Sequence, residues 1–225
     1  MKSAIRVAVA TMSRAWSVDP RLLALGLLVV GASPAGAASF FTADMDNTQE
    51  VAPGVPGTTT GTADVDIQLN DLGGGNFSLT MQLLFTSDFN FVNFGGANNG
   101  GSEIVSNLHV HNQARGLSGS VVWGIFAPDH DVDNDSALTS NPDGTTLITS
   151  EWDLTEGNGA VTLATFLAAL QAATPGSDVN LYLNVHTTEA AGGAIRGQFV
   201  AVPEPKSLAL LALGIALLAS SRRSS

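Results

Sequence analysis

Between residues 40 and 202 hydrophobic and polar positions alternate. In TADVDIQL (62–69), Ala63, Val65, Ile67 and Leu69 fall on one side of an extended chain, and Asp64, Asp66 and Gln68 on the other. That is the period of a half-buried strand. NFSLTMQLLF (76–85) follows across the turn-rich NDLGGG, which predicts a hairpin. Further strands are predicted at FFTADMD near 40, FNFVNF near 91, IVSNLHVH (104–111), SVVWGIFA (120–127), TLITSEWDL (146–154), VNLYLNVHT (179–187) and AIRGQFVAV (194–202). Many short strands separated by Gly, Asn, Asp and Pro predict an all-β fold, a Greek-key β-sandwich of about eight strands. One stretch departs from the period. TLATFLAALQAATPG (162–176) places Leu163, Phe166, Leu167 and Leu170 at helical spacing and ends in Pro-Gly, which predicts one short helix lying across the sandwich.

The two ends of the chain read differently. Lys2, Arg6, Arg14 and Arg21 precede the apolar run LLALGLLVVG (22–31) and the small-residue stretch SPAGAAS. This three-part order predicts a signal peptide over 1–38, cleaved after Ala38. At the other end VPEPKSLALLALGIALLASSRRSS (202–225) gives Pro203, Glu204 and Pro205, an apolar run from Leu208 to Ala219, and then Arg222 and Arg223. At about 1.5 Å per residue a helix of this length falls short of a hydrocarbon core. With arginines on the cytoplasmic side it suits transient contact with the inner membrane. The segment closely resembles the PEP-CTERM sorting signal of Gram-negative bacteria. The resemblance implies an exosortase-type partner, removal of the tail near the motif, and delivery of the body to the cell surface or extracellular matrix. The expected organisation is one domain over 39–201, flanked by signal and sorting helices at 1–38 and 202–225.

Without its ends the chain is strongly acidic. Residues 39–201 hold 18 Asp or Glu against two basic residues, Arg115 and Arg196, a net of −16. Such a surface repels phosphate backbones and excludes nucleic acid as a partner; it attracts cations. The chain has no cysteine, so neither a disulfide nor a thiolate metal site is available to it.

Candidate chemistry is concentrated in the four histidines. His109 and His111 are two apart in a predicted strand, so both project from one face. In the later strand Leu181, Leu183 and Val185 form the apolar face, and Tyr182, Asn184 and His186 the other. If the two strands pair, His109, His111 and His186 converge on one ion. Otherwise these histidines bond to turn backbones, with Asn184 and Arg196 as partners, and fix the sheet edge. PDHDVDNDS (128–136) is a second candidate, with Asp129, Asp131, Asp133 and Asp135 alternating as oxygen ligands of the kind calcium takes. No register places Gly and Glu where an EF-hand loop needs them, and an acidic solvated loop is the simpler reading. Nucleophilic catalysis lacks a Gly-x-Ser-x-Gly elbow and a cysteine. Glu151, Asp153 and Glu156 offer carboxylates for sugar hydrolysis, but a charged strand-to-turn position explains them equally. Trp123 and Trp152 are expected in the core.

Three blocks resemble, in order, the marks of the CHRD domain, named from chordin: QEVAP (49–53), NLHVHNQARGLSGSVV (107–122) and LYLNVHTTEAAGGAIRGQFV (181–200). The resemblance covers roughly 40–201, nearly the whole predicted mature chain, and implies a secreted β-sandwich module. A more distant resemblance joins LHVH and NVHTTEAAGGAIRG to the histidine strands of copper-zinc superoxide dismutases. It implies His109, His111 and His186 as copper-type ligands, although no histidine-rich loop supplies a zinc site. The expectation is a non-enzymatic structural or binding module of the matrix or biofilm that meets extracellular polysaccharide or protein. The alternative is a protein that binds copper or zinc, or, in the acidic loop, calcium.

Overall fold

The structure is a computed structural model that describes residues 40–51 and 59–203. Ala38, Glu204, Pro205, Arg222 and Arg223 lie outside the described residues; Pro203 is exposed just beyond the last strand. In chain order the strands are β1 (Phe40–Thr42), β2 (Ala63–Gly73), β3 (Asn76–Phe85), β4 (Phe89–Asn90), β5 (Glu103–Asn112) and β6 (Ser120–Phe126). They continue as β7 (Ala137–Ser140), β8 (Thr146–Asp153), β9 (Gly157–Asn158) and β10 (Val161–Thr162). Helix α1 (Leu163–Ala172) precedes β11 (Asp178–Thr187) and β12 (Ile195–Val202).

The alternation of β2 is realised residue by residue. Ala63, Val65, Ile67 and Leu69 are buried and Asp64, Asp66 and Gln68 exposed. The hairpin to β3 pairs Ala63 with Phe85 and Ile67 with Met81. Its turn runs through Gly73, Gly74 and Gly75, all at positive φ, a conformation other residues enter at a cost.

One path of pairing orders the main sheet β6-β5-β11-β12-β1-β2-β3-β8-β7, with β4 added in parallel to β5. β1 therefore sits between the last strand and the second. β6 and β8 lie far apart along this path, yet Trp123 of β6 and Trp152 of β8 stack with ring centroids 5.4 Å apart. The sheet must curl over on itself, so that its two halves face each other as a sandwich. Both tryptophans are fully buried in that common core, with Phe41, Phe85, Phe89 and Phe199. From α1, Leu163, Phe166 and Leu170 join it, Phe166 lying 5.8 Å from Trp152.

Local chemistry shifts three boundaries from the sequence reading. The helix ends at Ala172 rather than 176, because Pro175 disfavours helical backbone at the residue before it. FNFVNF is a strand only over Phe89–Asn90. The Asn90 side chain accepts a hydrogen bond from Val92 N–H at 3.1 Å and turns the chain into a 3-10 segment over Val92–Phe94. The acidic stretch after β6 leads into β7, paired to β8.

Candidate metal centre

β5 lies between β11 and β6, and its register decides the site. His109 stands opposite Asn184, His111 opposite Tyr182, and Asn107 opposite His186. Leu108 and Val110, with Leu183 and Val185 across from them, point into the core and are fully buried. The three histidines share the opposite face, with His186 diagonal to His109 and in reach of it. Sequence alone reads this face as polar and outward. It is polar but covered: His109 is 4% exposed and His111 8%, while His186 is partly buried.

The cover is the 113–119 turn, and the residues of the last signature block hold it in place. Arg196, 2% exposed, donates to Leu117 O at 2.8 Å and to Ala114 O at 3.1 Å. Gln198 donates to Gln113 O at 3.1 Å and accepts from Arg196 at 3.1 Å. Arg196 also lies 3.4 Å over the centroid of the Tyr182 ring, a favourable cation–π contact. Tyr182 in turn stacks on His111 with 4° between the planes, and its hydroxyl accepts from Gly119 N–H at 3.0 Å. Arg196 thus acts on the histidines through Tyr182 and the turn. Neither it nor Asn184 hydrogen-bonds to them, so that part of the sheet-edge expectation is corrected. The turn-backbone part holds.

Two backbone carbonyls set the tautomers. His111 Nδ1 lies 2.9 Å from Gly119 O, and His186 Nδ1 lies 2.8 Å from Ala191 O. A carbonyl only accepts, so both Nδ1 atoms carry the hydrogen, and in neutral rings both Nε2 atoms carry the lone pair. His111 Nε2 is buried without a hydrogen-bond partner. His186 Nε2 is 3.0 Å from His109 Nε2. One ring nitrogen from each of the three histidines lies within 4.8 Å of the other two. A tetrahedral ion with Zn–N bonds of about 2.0–2.1 Å needs nitrogens roughly 3.3 Å apart, and the 3.0 Å between His109 and His186 is close to that value.

The electrostatics suit ligation. Burial, reinforced by the neighbouring His111, His186 and His130, lowers His109 to about 3. Burial lowers His111 to about 4 against its bond to Gly119, and lowers His186 against its bond to Ala191. All three are neutral near pH 7, and only neutral imidazole binds a metal. Carbonyl-anchored Nδ1–H groups with free Nε2 lone pairs are the usual support of metal-bound histidine.

The acidic stretch is built otherwise. Asp131 and Asp133 come together not with Asp129 and Asp135 but with Glu156, again within 4.8 Å. Asp129 accepts from Asp131 N–H, and Asp135 from Glu151 N–H. Glu156, 6% exposed, accepts from Val132 N–H at 2.6 Å and from Asp153 N–H at 3.2 Å. Asp131 accepts from Asp135 and Ser136 N–H. Burial and the charges nearby push Asp135 up to about 6.

Sequence reading named Tyr182 as a face residue without a task and did not single out Glu50. Burial pushes the Glu50 carboxyl up to about 7 although Arg196 is near. A side chain on Gly193 would meet that carboxylate at 2.6 Å, which is why the turn carries glycine there. The signal for Glu50 was its place in the first signature block.

The chain matches the family model of the CHRD domain over residues 41–199 and that of the PEP-CTERM protein-sorting motif over residues 201–223. No curated protein and no solved structure matches it.

Proposed function

Because the chain belongs to the CHRD-domain family and carries the sorting motif read by exosortase in Gram-negative bacteria, we propose that it is a surface-displayed module binding one copper or zinc ion. The ligands are His109, His111 and His186, with water or another group from solvent completing the coordination. Export and surface sorting follow from the family and the motif; the ion and its ligands are our reading. The observation that carries it is the convergence of three neutral imidazoles, two of them held by carbonyls in the tautomer that leaves Nε2 bare. Imidazole ligands suit copper and zinc better than calcium.

The task proposed is binding rather than turnover, carried out in the extracellular matrix or biofilm. A second reading has the acidic body itself as the working surface, a structural element that meets polysaccharide or protein. It is favoured by the net charge of −16 over residues 39–201. Metal content separates the two. The exported chain, purified without a His tag, is dialysed against copper or zinc and then against buffer. Elemental mass spectrometry should return about one ion per chain, lost in a His109→Ala/His111→Ala double variant. No retained metal in the parent chain would leave only the acidic-surface reading.

A further inference from the structure

Loading an ion into this cluster requires a hydrogen to leave His109. Since His186 Nε2 is a lone-pair acceptor, the 3.0 Å contact between the two Nε2 atoms needs the hydrogen on His109 Nε2. His109 Nδ1 is then a bare acceptor, buried and without a hydrogen-bond partner. When an ion takes the place of that hydrogen, His109 Nε2 becomes a ligand and the single hydrogen of the neutral ring belongs on Nδ1. His111 and His186 each have a carbonyl waiting for their Nδ1–H. His109 has none. Its Nδ1 needs a neighbour that donates before loading and accepts afterwards. A carbonyl cannot do both; a second imidazole can.

His130 stands where that neighbour belongs. Gly124 is the register partner of His109 on β6, so any side chain at 124 would project on the face that carries the His109 ring. His130 Nδ1 lies 3.5 Å from where that Cβ would be. A Cβ at Gly124 would strike the Pro128 carbonyl, so the missing side chain lets the 128–130 loop close over this face of β6 and brings the His130 ring up beside it. The loop that brings His130 there is tied down twice. His130 N–H donates to Gly124 O at 2.9 Å, and Asn107 Nδ2, from the histidine strand itself, donates to Ala127 O. Like His109 Nδ1, His130 Nδ1 is buried without a hydrogen-bond partner. Two bare ring nitrogens thus stand in one buried neighbourhood, while the other anchored ring nitrogens of the cluster are satisfied.

We propose that His130 is the positioning residue of His109: their Nδ1 atoms are joined by a hydrogen-bonded chain across one water molecule, and its direction reverses when the metal loads. Before loading, the hydrogens sit on His109 Nε2 and His130 Nδ1. After loading, they sit on His109 Nδ1 and His130 Nε2. The hydrogen that the ion displaces from His109 Nε2 leaves to solvent, the one on His130 Nδ1 passes to His109 Nδ1, and solvent supplies the one that His130 Nε2 gains; both rings stay neutral and no proton is released overall. The inference rests on the reading of His109, His111 and His186 as ligands.

The test uses the full chain, zinc as the probe, and His130→Ala and His130→Asn variants. Nitrogen-15 NMR of the imidazoles should show His109 passing from the Nε2–H to the Nδ1–H tautomer on zinc addition, and His130 passing the opposite way. His130→Ala should weaken zinc binding about 10- to 100-fold, the usual effect of removing a group that orients a ligand. His130→Asn, whose amide offers a donor or an acceptor near the place of Nδ1, should recover most of the loss; if the alanine variant does not fold, the tautomer measurement on the parent chain carries the test. Zinc binding by His130→Ala as tight as in the parent, or a parent His109 tautomer unmoved by zinc, overturns the role of His130 and leaves the three-histidine site standing. A parent chain that takes up no zinc overturns the site itself.

Discussion

Two groups of side chains could hold a cation, and they differ in what their lone pairs already do. In the acidic group the two buried members are engaged by their own loop: Glu156 takes the N–H groups of Val132 and Asp153, and Asp131 those of Asp135 and Ser136, while the third, Asp133, is exposed. These carboxylates have a sufficient structural task, since an unpaired buried N–H costs about as much as a lost hydrogen bond. In the histidine group the backbone has taken the other nitrogen of two rings; His186 Nε2 meets only a fellow ligand, His109, and His111 Nε2 is buried with nothing bound to it. Proximity alone ranks the two groups equally, each spanning less than 4.8 Å. Counting engaged lone pairs separates them.

The sharpest way to break this comparison is to move the metal. His109→Ala/His111→Ala should lower copper or zinc affinity by about a hundredfold or more, whereas Asp131→Asn/Asp133→Asn should leave it within about twofold. Isothermal titration of the parent chain and both variants reads this directly. Equal losses in the two variants would mean that the regions form one site.

Acid should act with opposite sign on the histidines and on the two raised carboxyls of the acidic region; Asp131, which burial raises but its bonds from Ser136 and Asp135 hold low, sides with the histidines. His109 and His111 stay neutral in the fold down to about 3 and 4, while an unfolded histidine ionises near 6.5. Below about 6.5 the unfolded chain binds more protons at these positions, so their contribution to stability is lost as pH falls. Asp135 and Glu156 are raised, so the fold holds their protons more tightly and their contribution is lost as pH rises instead. Metal-free parent chain and the double histidine variant should therefore diverge under urea. Between pH 6.5 and 4.5 the parent should lose about 4–5 kcal/mol more than the variant, about half from each histidine; parallel pH profiles would contradict the burial argument.

Glu156→Ala should cost about 1–2 kcal/mol, the price of two backbone donors left without their acceptor, and leave metal affinity unchanged. Thermal melting and zinc titration on the same sample check both halves. The smallest effect is expected from calcium. If the loop carboxylates serve the loop, 1 mM calcium should raise the melting temperature by about 1 °C or less, corresponding to a dissociation constant of about 1 mM or weaker. A shift of several degrees, abolished in Asp131→Asn/Asp133→Asn, would restore the calcium reading.

Much of the fold was legible because its signal is periodic. The alternation over 62–69 gives the two faces of β2 directly, and the spacing of Leu163, Phe166 and Leu170 gives the buried side of α1. The histidine trio was legible for the same reason: a two-residue spacing puts His109 and His111 on one face, and pairing with the strand of His186 is all that is further required. The curl that stacks Trp123 on Trp152 has no local signal, since it is a property of the whole sheet. The partners of the histidines were hidden for a different reason. They are carbonyls of Gly119 and Ala191, and every residue type offers a carbonyl. Glu156 replaced Asp129 and Asp135 in the acidic group because β8 and β9 bring it back to the loop, a contact 24 residues apart for Val132. The place of His130 has no local signal either, since its loop closes in only where Gly124 offers no side chain against the Pro128 carbonyl.

X-ray absorption at the zinc edge of the loaded chain tests the central claim most directly. The account predicts a first shell near 2.0–2.1 Å with outer-shell scattering from about three imidazole rings. A shell of oxygens with no ring scattering would contradict it and place the ion among the carboxylates.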